Sequence, residues 1–248
     1  MCGIAGFVND MPIDVKCPVL QRMTDMIAHR GPDSEGHYID EHAALGHRRL
    51  SIIDLGGGQQ PIYNEDGSKV ITFNGEIYNY QTLREELIAA GHTFTTKSDT
   101  EVLLHGYEQW GVDLLQRVRG MFTFVIWDKN KQELFGARDH FGIKPFYYAK
   151  MNGTFMYASE IKSLLRHPDF VKELNAEALK PYMTFQYPAI GETFFKGVYK
   201  LPEGHYFTYR DDKMDIHRYY DEDFREGKQK LGELVNSIDQ TVCDSVKA

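Results

Sequence analysis

The chain has 248 residues, a formal net charge of -8 and three cysteines, Cys2, Cys17 and Cys243. That length allows one large domain, or one domain with a piece of another, and needs no disulfide staples. The acidic balance argues against nucleic acid as a partner. The odd cysteine count without a CxxC spacing points to no metal site and to a reducing, cytoplasmic setting. Neither a signal peptide nor an apolar run of membrane-spanning length is legible.

The sequence opens Met1-Cys2-Gly3-Ile4-Ala5-Gly6. Gly3 to Val8 reads as a buried strand with Cys2 at its start. Loss of Met1 would leave one residue carrying both a thiol and a free α-amine. The thiol is a nucleophile once deprotonated, and an amine with a pKa of about 8 can serve as its base. The other reading of a lone cysteine is a small buried hydrophobe.

A helix is expected around Val19 to Ile27, then turn chemistry at His29-Arg30-Gly31-Pro32-Asp33. Ala43 to Ile53 reads as a strand. Strand alternation puts only one of Arg48 and Arg49 on a given face, and Arg49 is placed to grip a carboxylate. Leu55 to Pro61 contains three consecutive glycines, Gly56, Gly57 and Gly58, and reads as a flexible loop. Val70 to Phe73 is expected as a strand that ends in a turn at Asn74-Gly75. The same dipeptide, an amide side chain followed by a residue without Cβ, suits an oxyanion hole. Glu76 follows directly, where a solvated carboxylate is the plain alternative.

Asn79 is expected to cap a helix closed by Gly91. Ser98-Asp99-Thr100-Glu101 fits a capping box for the next helix, which ends at Gly111. If Ser98 and Glu101 form that cap, Asp99 is left to hold an ammonium; its plain reading is a carboxylate at a helix N-terminus. A third helical stretch runs to Gly120. Strands follow over Met121 to Trp127, Glu133 to Ala137, Phe146 to Ala149 and Thr154 to Tyr157, with a hairpin at Asn152-Gly153. Arg138-Asp139-His140-Phe141-Gly142-Ile143-Lys144-Pro145 reads as an ion-pair network, as do His29, Arg30 and Asp33. Helices around Glu160 to Leu165 and after Asn175 precede the final strands, Thr193 to Tyr209. Asp221 to Lys230 is charged and linker-like. Leu231 to Val246 has helical apolar spacing and reads as the first element of a second domain.

Alternating groups of strands and helices indicate an α+β fold of stacked sheets with helices outside. The combination of Cys2-Gly3-Ile4, His29-Arg30-Gly31-Pro32-Asp33, Arg49-Leu50-Ser51-Ile52, Asn74-Gly75-Glu76-Ile77-Tyr78-Asn79, Ser98-Asp99-Thr100-Glu101, Gly120-Met121-Phe122 and the segment from Arg138 to Pro145 resembles the class II, N-terminal-nucleophile glutamine amidotransferases. Within them it is most similar to the glutaminase domain of asparagine synthetases of the B type. Ala158-Ser159-Glu160-Ile161-Lys162 and Leu201-Pro202-Glu203-Gly204 extend the likeness to about residue 220.

The resemblance implies a four-layer αββα sandwich over residues 1–222, with 223–248 leading into an absent ATP-using synthetase domain. It implies that Cys2 forms a γ-glutamyl thioester with L-glutamine and releases ammonia, with the Cys2 amine as base. Asn74 and Gly75 would form the oxyanion hole, Arg49 and the Ile52 backbone would bind the glutamine carboxylate, and Glu76 and Asp99 its α-amino end. The loop from Leu55 to Pro61 would be the lid. No cofactor is implied for this chain; ATP and magnesium belong to the synthetase half, which would be the domain's own C-terminal partner. A homodimer is compatible with the family. Two other readings stay open: a related amidotransferase with another acceptor, and a catalytically silent docking domain.

Overall fold

The structure is a computed structural model. It describes residues 1–247 apart from 53, 55, 188–190, 225, 226 and 228. The uncharged run after Cys2 forms β1 (Gly3–Val8). A helix, α1 (Ile13–Asp25), then packs Val19, Leu20 and Met23 inward. It begins before the expected Val19, because Pro18 is carried inside the helix rather than ending it. The chain continues through β2 (Ser34–Ile39), β3 (Ala43–Arg49), β4 (Ile62–Tyr63) and β5 (Lys69–Ile77). Two helices follow, α2 (Tyr80–Ala89) and α3 (Asp99–Trp110). The expected third helical stretch is a 3-10 turn over Gly111–Gln116. Next come β6 (Gly120–Asp128), β7 (Glu133–Arg138), β8 (Tyr147–Met151) and β9 (Thr154–Ala158). After α4 (Ile161–Leu164) and α5 (Ala176–Phe185) the strands β10 (Val198–Lys200), β11 (His205–Arg210) and β12 (Lys213–Arg218) complete the sheets. The last element is α6 (Leu231–Lys247).

Among the described residues the strands form two six-stranded antiparallel sheets, in the orders β10-β8-β9-β1-β3-β2 and β12-β11-β7-β6-β5-β4. Ile4, Leu45, Val70, Val125, Trp127, Tyr157 and Phe207 fill the space between them. Helices α1 and α4 cover the outer face of the first sheet, with Phe7, Leu20, Met156 and Leu164 in contact. Helices α2 and α3 cover the second through Leu83, Leu87, Leu103, Phe73 and Phe124. The layers are therefore helix, sheet, sheet, helix: the αββα sandwich.

Two features of this frame position the site. β1, which carries Cys2 at its head, is flanked by β3 and β9 in its sheet. Across the sandwich, β5 does not stop at Asn74-Gly75. The dipeptide stays in strand, with Asn74 opposite Thr123 and Gly75 opposite Phe122, and pairing continues to Ile77. The expected turn is absent because a nine-residue ladder to β6 outweighs a local Asn-Gly preference. Gly75 is needed for closeness instead: a Cβ there would lie 2.2 Å from the Met121 carbonyl.

Gly6 shows the same tightness in β1, since an added Cβ would meet the Tyr157 hydroxyl at 2.4 Å and the Ala44 carbonyl at 2.5 Å. The Ala44 oxygen is backbone and cannot swing away. Gly6→Ala is expected to destabilise the fold by about 1–3 kcal/mol through overpacking. Denaturant unfolding would measure this, and an unchanged midpoint would contradict it.

Candidate active site

Six of the residues singled out above meet at one cavity. Cys2, Arg49, Ile52, Gly75, Glu76 and Asp99 line it, together with Leu50, Gln60 and Thr100. They come from the head of β1, the end of β3, the end of β5 and the start of α3, so both sheets contribute. Asn74 does not line the cavity; it lies next to Gly75, and is 1% exposed. Its Nδ2 has no hydrogen-bond partner among the described residues. A buried amide donor left unpaired costs about 1–3 kcal/mol, so it invites an acceptor.

The thiol is held between strands. Leu50 N–H donates to Cys2 Sγ at 3.4 Å, and Sγ lies 3.5 Å from the Leu50 carbonyl. Arg30 Nε donates to the Cys2 carbonyl at 2.9 Å. Burial pushes the thiol pKa up, against the Leu50 N–H and the nearby Arg49 charge. At neutral pH the sulfur is therefore protonated, and a base must remove the proton before it can attack.

Strand alternation sorts the two arginines. Arg48 points to the outer face of its sheet, where it pairs with Asp25 and with Glu35, the latter at 2.6 Å. Arg49 is buried on the cavity side and donates to the Asp54 carbonyl at 2.6 Å. Asp54 also organises the glycine loop. Its carboxylate accepts from Gly57 N–H at 3.0 Å and Lys97 N–H at 2.9 Å. Gly57 and Gly58 turn about Asp54, and Gly58 lines the cavity; Ile53 and Leu55 lie outside the described residues.

The acidic side carries two carboxylates at unusual values. Burial raises the Glu76 pKa to about 7, and the Asp99 charge adds to the effect. Burial likewise raises Asp99 to about 6, against the hydrogen bond from Ile77 N–H at 3.0 Å. Asp99 is thus not left over by a capping box, as expected, but tied to β5. Ser98 does cap α3, accepting from Thr100 N–H. Glu101 does not reciprocate. Its carboxylate takes the backbone N–H and hydroxyl of both Thr95 and Thr96.

Several contributors were invisible to sequence reasoning. Gln60 closes the loop onto β5: its Oε1 accepts from Phe73 N–H at 2.6 Å and its Nε2 donates to Thr100 Oγ1 at 3.2 Å. His47 joins the sheets, donating from Nε2 to the Phe73 carbonyl at 3.0 Å. Burial lowers its pKa to about 3, so the ring is neutral. Neither residue has a neighbour in sequence that announces the contact.

The segment from Arg138 to Pro145 is a correction. Among the described residues neither Arg138 nor Asp139 forms an ion pair. Arg138 instead donates to the carbonyls of Lys144, Leu201 and Gly142, and Asp139 accepts from the N–H groups of Phe122, Phe141, Ile143 and Lys144. Buried backbone groups without ladder partners claim both charges. At the other segment the expected ion pairs form, with Glu160 between His29 at 2.9 Å and Arg30 at 3.2 Å. Asp33 instead accepts from Ser51 N–H, at 2.8 Å.

A four-layer antiparallel sandwich with a cysteine heading an inner strand defines the class, an amidotransferase sandwich of the N-terminal-nucleophile type. The chain belongs to the glutamine amidotransferase domain family, which matches residues 1–220. It is 44% identical over 250 residues to the glutamine-hydrolysing asparagine synthetase 1 of Bacillus subtilis, covering 99% of this chain and 39% of that protein. Asparagine synthetase 3 of the same organism is 36% identical over 253 residues, covering 99% of this chain and 41% of its own length. The amidase chry2 of Gibberella zeae is 34% identical over 270 residues, covering all of this chain and 39% of its length. The chain therefore spans about two fifths of these relatives. Among solved structures, the glutamine phosphoribosylpyrophosphate amidotransferase of Bacillus subtilis superposes with a TM-score of 0.63 at 17% identity, covering 88% of this chain and 49% of that one. At that identity the likeness speaks for the fold alone.

Proposed function

We propose that this chain hydrolyses L-glutamine to glutamate and ammonia through a thioester on Cys2, and that the ammonia serves a synthetase domain making asparagine from aspartate. The observation that carries the reading is the single cavity holding a thiol, a buried arginine and two buried carboxylates, beside the unpaired Asn74 amide. Glutamine has a carboxylate for Arg49, with the Ile52 backbone assisting. It has an α-ammonium for Glu76 and Asp99, and a carboxamide for the sulfur.

With Met1 removed, the Cys2 amine takes the thiol proton and the thiolate attacks the carboxamide carbon. The oxygen gains charge, which the Asn74 amide and the Gly75 N–H stabilise. The amine returns its proton to the departing nitrogen, the C–N bond breaks and ammonia leaves. Water then cleaves the thioester, giving glutamate and the free thiol. No cofactor enters these steps. The cavity as it stands holds only about 30 Å3, room for little more than ordered water. Within the expected lid, the described stretch Gly56 to Pro61 would lift to admit glutamine.

A synthetase domain beyond this chain is supported by α6. Leu231, Val235, Ile238, Val242 and Val246 share one side of the helix, and all are exposed. The boundary near residue 222 fits the end of the family match at 220. The three cysteines are free, which suits the reducing cytoplasm. No described helix is long and apolar enough to cross a membrane. The likeness to an amidase as well as to asparagine synthetases leaves the acceptor to be set outside this chain.

The test is glutamate release from L-glutamine compared with N-acetyl-glutamine, which lacks the ammonium. Turnover of L-glutamine alone is expected; equal turnover of both, or of neither, contradicts the reading.

The carboxylates predict a pH dependence. Glu76 and Asp99 bind an ammonium only when ionised, so KM for glutamine should fall as pH rises through about 6 to 7. Their folded pKa values lie above the unfolded ones, so the folded state holds protons that the unfolded state releases. Their contribution to stability is therefore complete below the unfolded values and shrinks as pH rises towards 7. Glu76→Gln should flatten both trends, raising KM and stabilising the empty protein at pH 8. Glutaminase kinetics and thermal unfolding across that range would check this; a KM profile identical to wild type would exclude Glu76 from ammonium binding.

A further inference from the structure

Behind the cavity, on the far part of α3, four side chains of metal-ligating type converge. Glu65 comes from the β4–β5 turn, His92 from the segment after α2, and His105 and Glu108 from α3; one ligand atom from each lies within 4.8 Å of all the others. We propose that these four residues bind a single zinc-class divalent cation that clamps the β4–β5 turn and the segment after α2 to α3.

The four residues gather one ligand atom each within 4.8 Å of the others. His105 Nδ1 lies 3.1 Å from Glu108 Oε2 and 3.4 Å from Glu65 Oε2, and His92 Nδ1 lies 3.5 Å from Glu65 Oε1. Metal–ligand bonds of 2.0–2.2 Å in a tetrahedron give ligand–ligand edges of roughly 3.3–3.6 Å, so these pairs are near that spacing and the four atoms together, within 4.8 Å, draw inward on binding. Both imidazoles turn Nδ1 inward and present Nε2 to an outer acceptor. His92 Nε2 reaches Gln109 Oε1 at 3.2 Å. His105 Nε2 faces the buried Glu101 Oε1 at 3.6 Å and has no hydrogen-bond partner. His92 is thus oriented as histidine ligands are, with the second ring nitrogen held by an amide oxygen, and His105 turns its second nitrogen towards a carboxylate. The carboxylates are fixed as well. Thr93 N–H donates to Glu65 Oε1 at 3.0 Å, and Asn64 Nδ2 donates to Glu108 Oε1 at 2.7 Å. Glu101 is anchored by Thr95 and Thr96.

Charge points the same way. Glu65, Glu101 and Glu108 surround the two rings, and the facing cation is Lys69, 3.6 Å from Glu108 Oε1. Two nitrogens and two oxygens suit zinc better than calcium or magnesium, which want six or more oxygens or near-octahedral water. A cavity of about 350 Å3 lined by Glu65, Thr95, Glu101 and His105 opens a route in from the surface. No sequence spacing betrays the site, because the ligands come from three separate segments. The same helix starts with Asp99 and Thr100, so the clamp would hold one wall of the glutamine cavity without touching substrate.

The experiment is Zn2+ and Co2+ loading of the whole chain after chelation, followed by desalting and metal analysis. The expected result is one Zn2+ per chain, a raised unfolding temperature, and a Co2+ spectrum of a four-coordinate nitrogen–oxygen site without a thiolate charge-transfer band. His92→Gln combined with Glu65→Gln should abolish uptake, while Cys17→Ser with Cys243→Ser should leave it intact. Gln109→Leu touches only the outer acceptor and should weaken Zn2+ binding about tenfold, which keeps the test open if the double variant does not fold. No uptake by the wild type, a thiolate band, uptake that survives loss of both ligands, or unchanged affinity in Gln109→Leu would each overturn the site.

Discussion

Cys2→Ala is expected to abolish glutamate release while leaving the fold in place. The substitution removes the sulfur and nothing that the sandwich depends on. Cys2 precedes the first residue of β1, it is only partly buried, and its sulfur makes two long contacts to Leu50. Without the thiol the covalent route is closed and the rate drops towards the uncatalysed background, a loss on the order of 10⁶-fold or more. The unfolding midpoint should move little, since no large side chain is lost from a core position. Glutamate production together with a denaturation curve separates the two effects. Wild-type turnover in this variant would remove Cys2 from the mechanism.

Asn74→Ala carries the second large effect. The Asn74 amide is buried in β5 with no partner for Nδ2 among the described residues. In an ordinary core position such a group would be destabilising without return. Under the proposed mechanism it is a donor for the charge that develops during reaction. Removing one oxyanion donor costs roughly 10²–10³ in kcat. The expected pattern is a fall of that size with KM little changed, because an oxyanion donor acts on the developing charge more than on the bound carboxamide. Stability should hold or rise slightly, as the unpaired donor is gone. An unchanged kcat would leave Asn74 a structural residue.

How much of this was legible in the sequence follows from the kind of signal each residue carries. Cys2, Arg49 and Asp99 could be read because each has a chemistry that stands out locally, alternation along β3 separated Arg49 from Arg48, and Glu76 entered only through the family resemblance. The αββα layering was reachable from alternating groups of strands and helices together with the family resemblance. Asn74-Gly75 was misread as a turn because the local preference is strong, whereas the ladder to Thr123 and Phe122 is set by residues nearly fifty positions away. Three edge strands left no pattern, among them the two-residue Ile62–Tyr63. Ser34–Ile39 and Lys213–Arg218 sit at sheet edges with mixed, largely polar residues, as edges are often built. Gln60 acts through long-range hydrogen bonds to Phe73 and Thr100 and His47 through one to Phe73, and nothing in their own neighbourhoods reports that. The charged segment after Arg138 was read as ion pairs because opposite charges alternate there, yet unpaired backbone groups claim both charges.

The central claim is a processed thiol inside a glutamine pocket. Intact mass before and after incubation with an electrophilic glutamine analogue tests it most directly. The expected result is loss of Met1 and one covalent adduct on Cys2, formed faster than with the D-enantiomer and prevented by L-glutamine. Retained Met1 with no adduct, or an adduct on Cys17 or Cys243 that L-glutamine does not prevent, would contradict the claim.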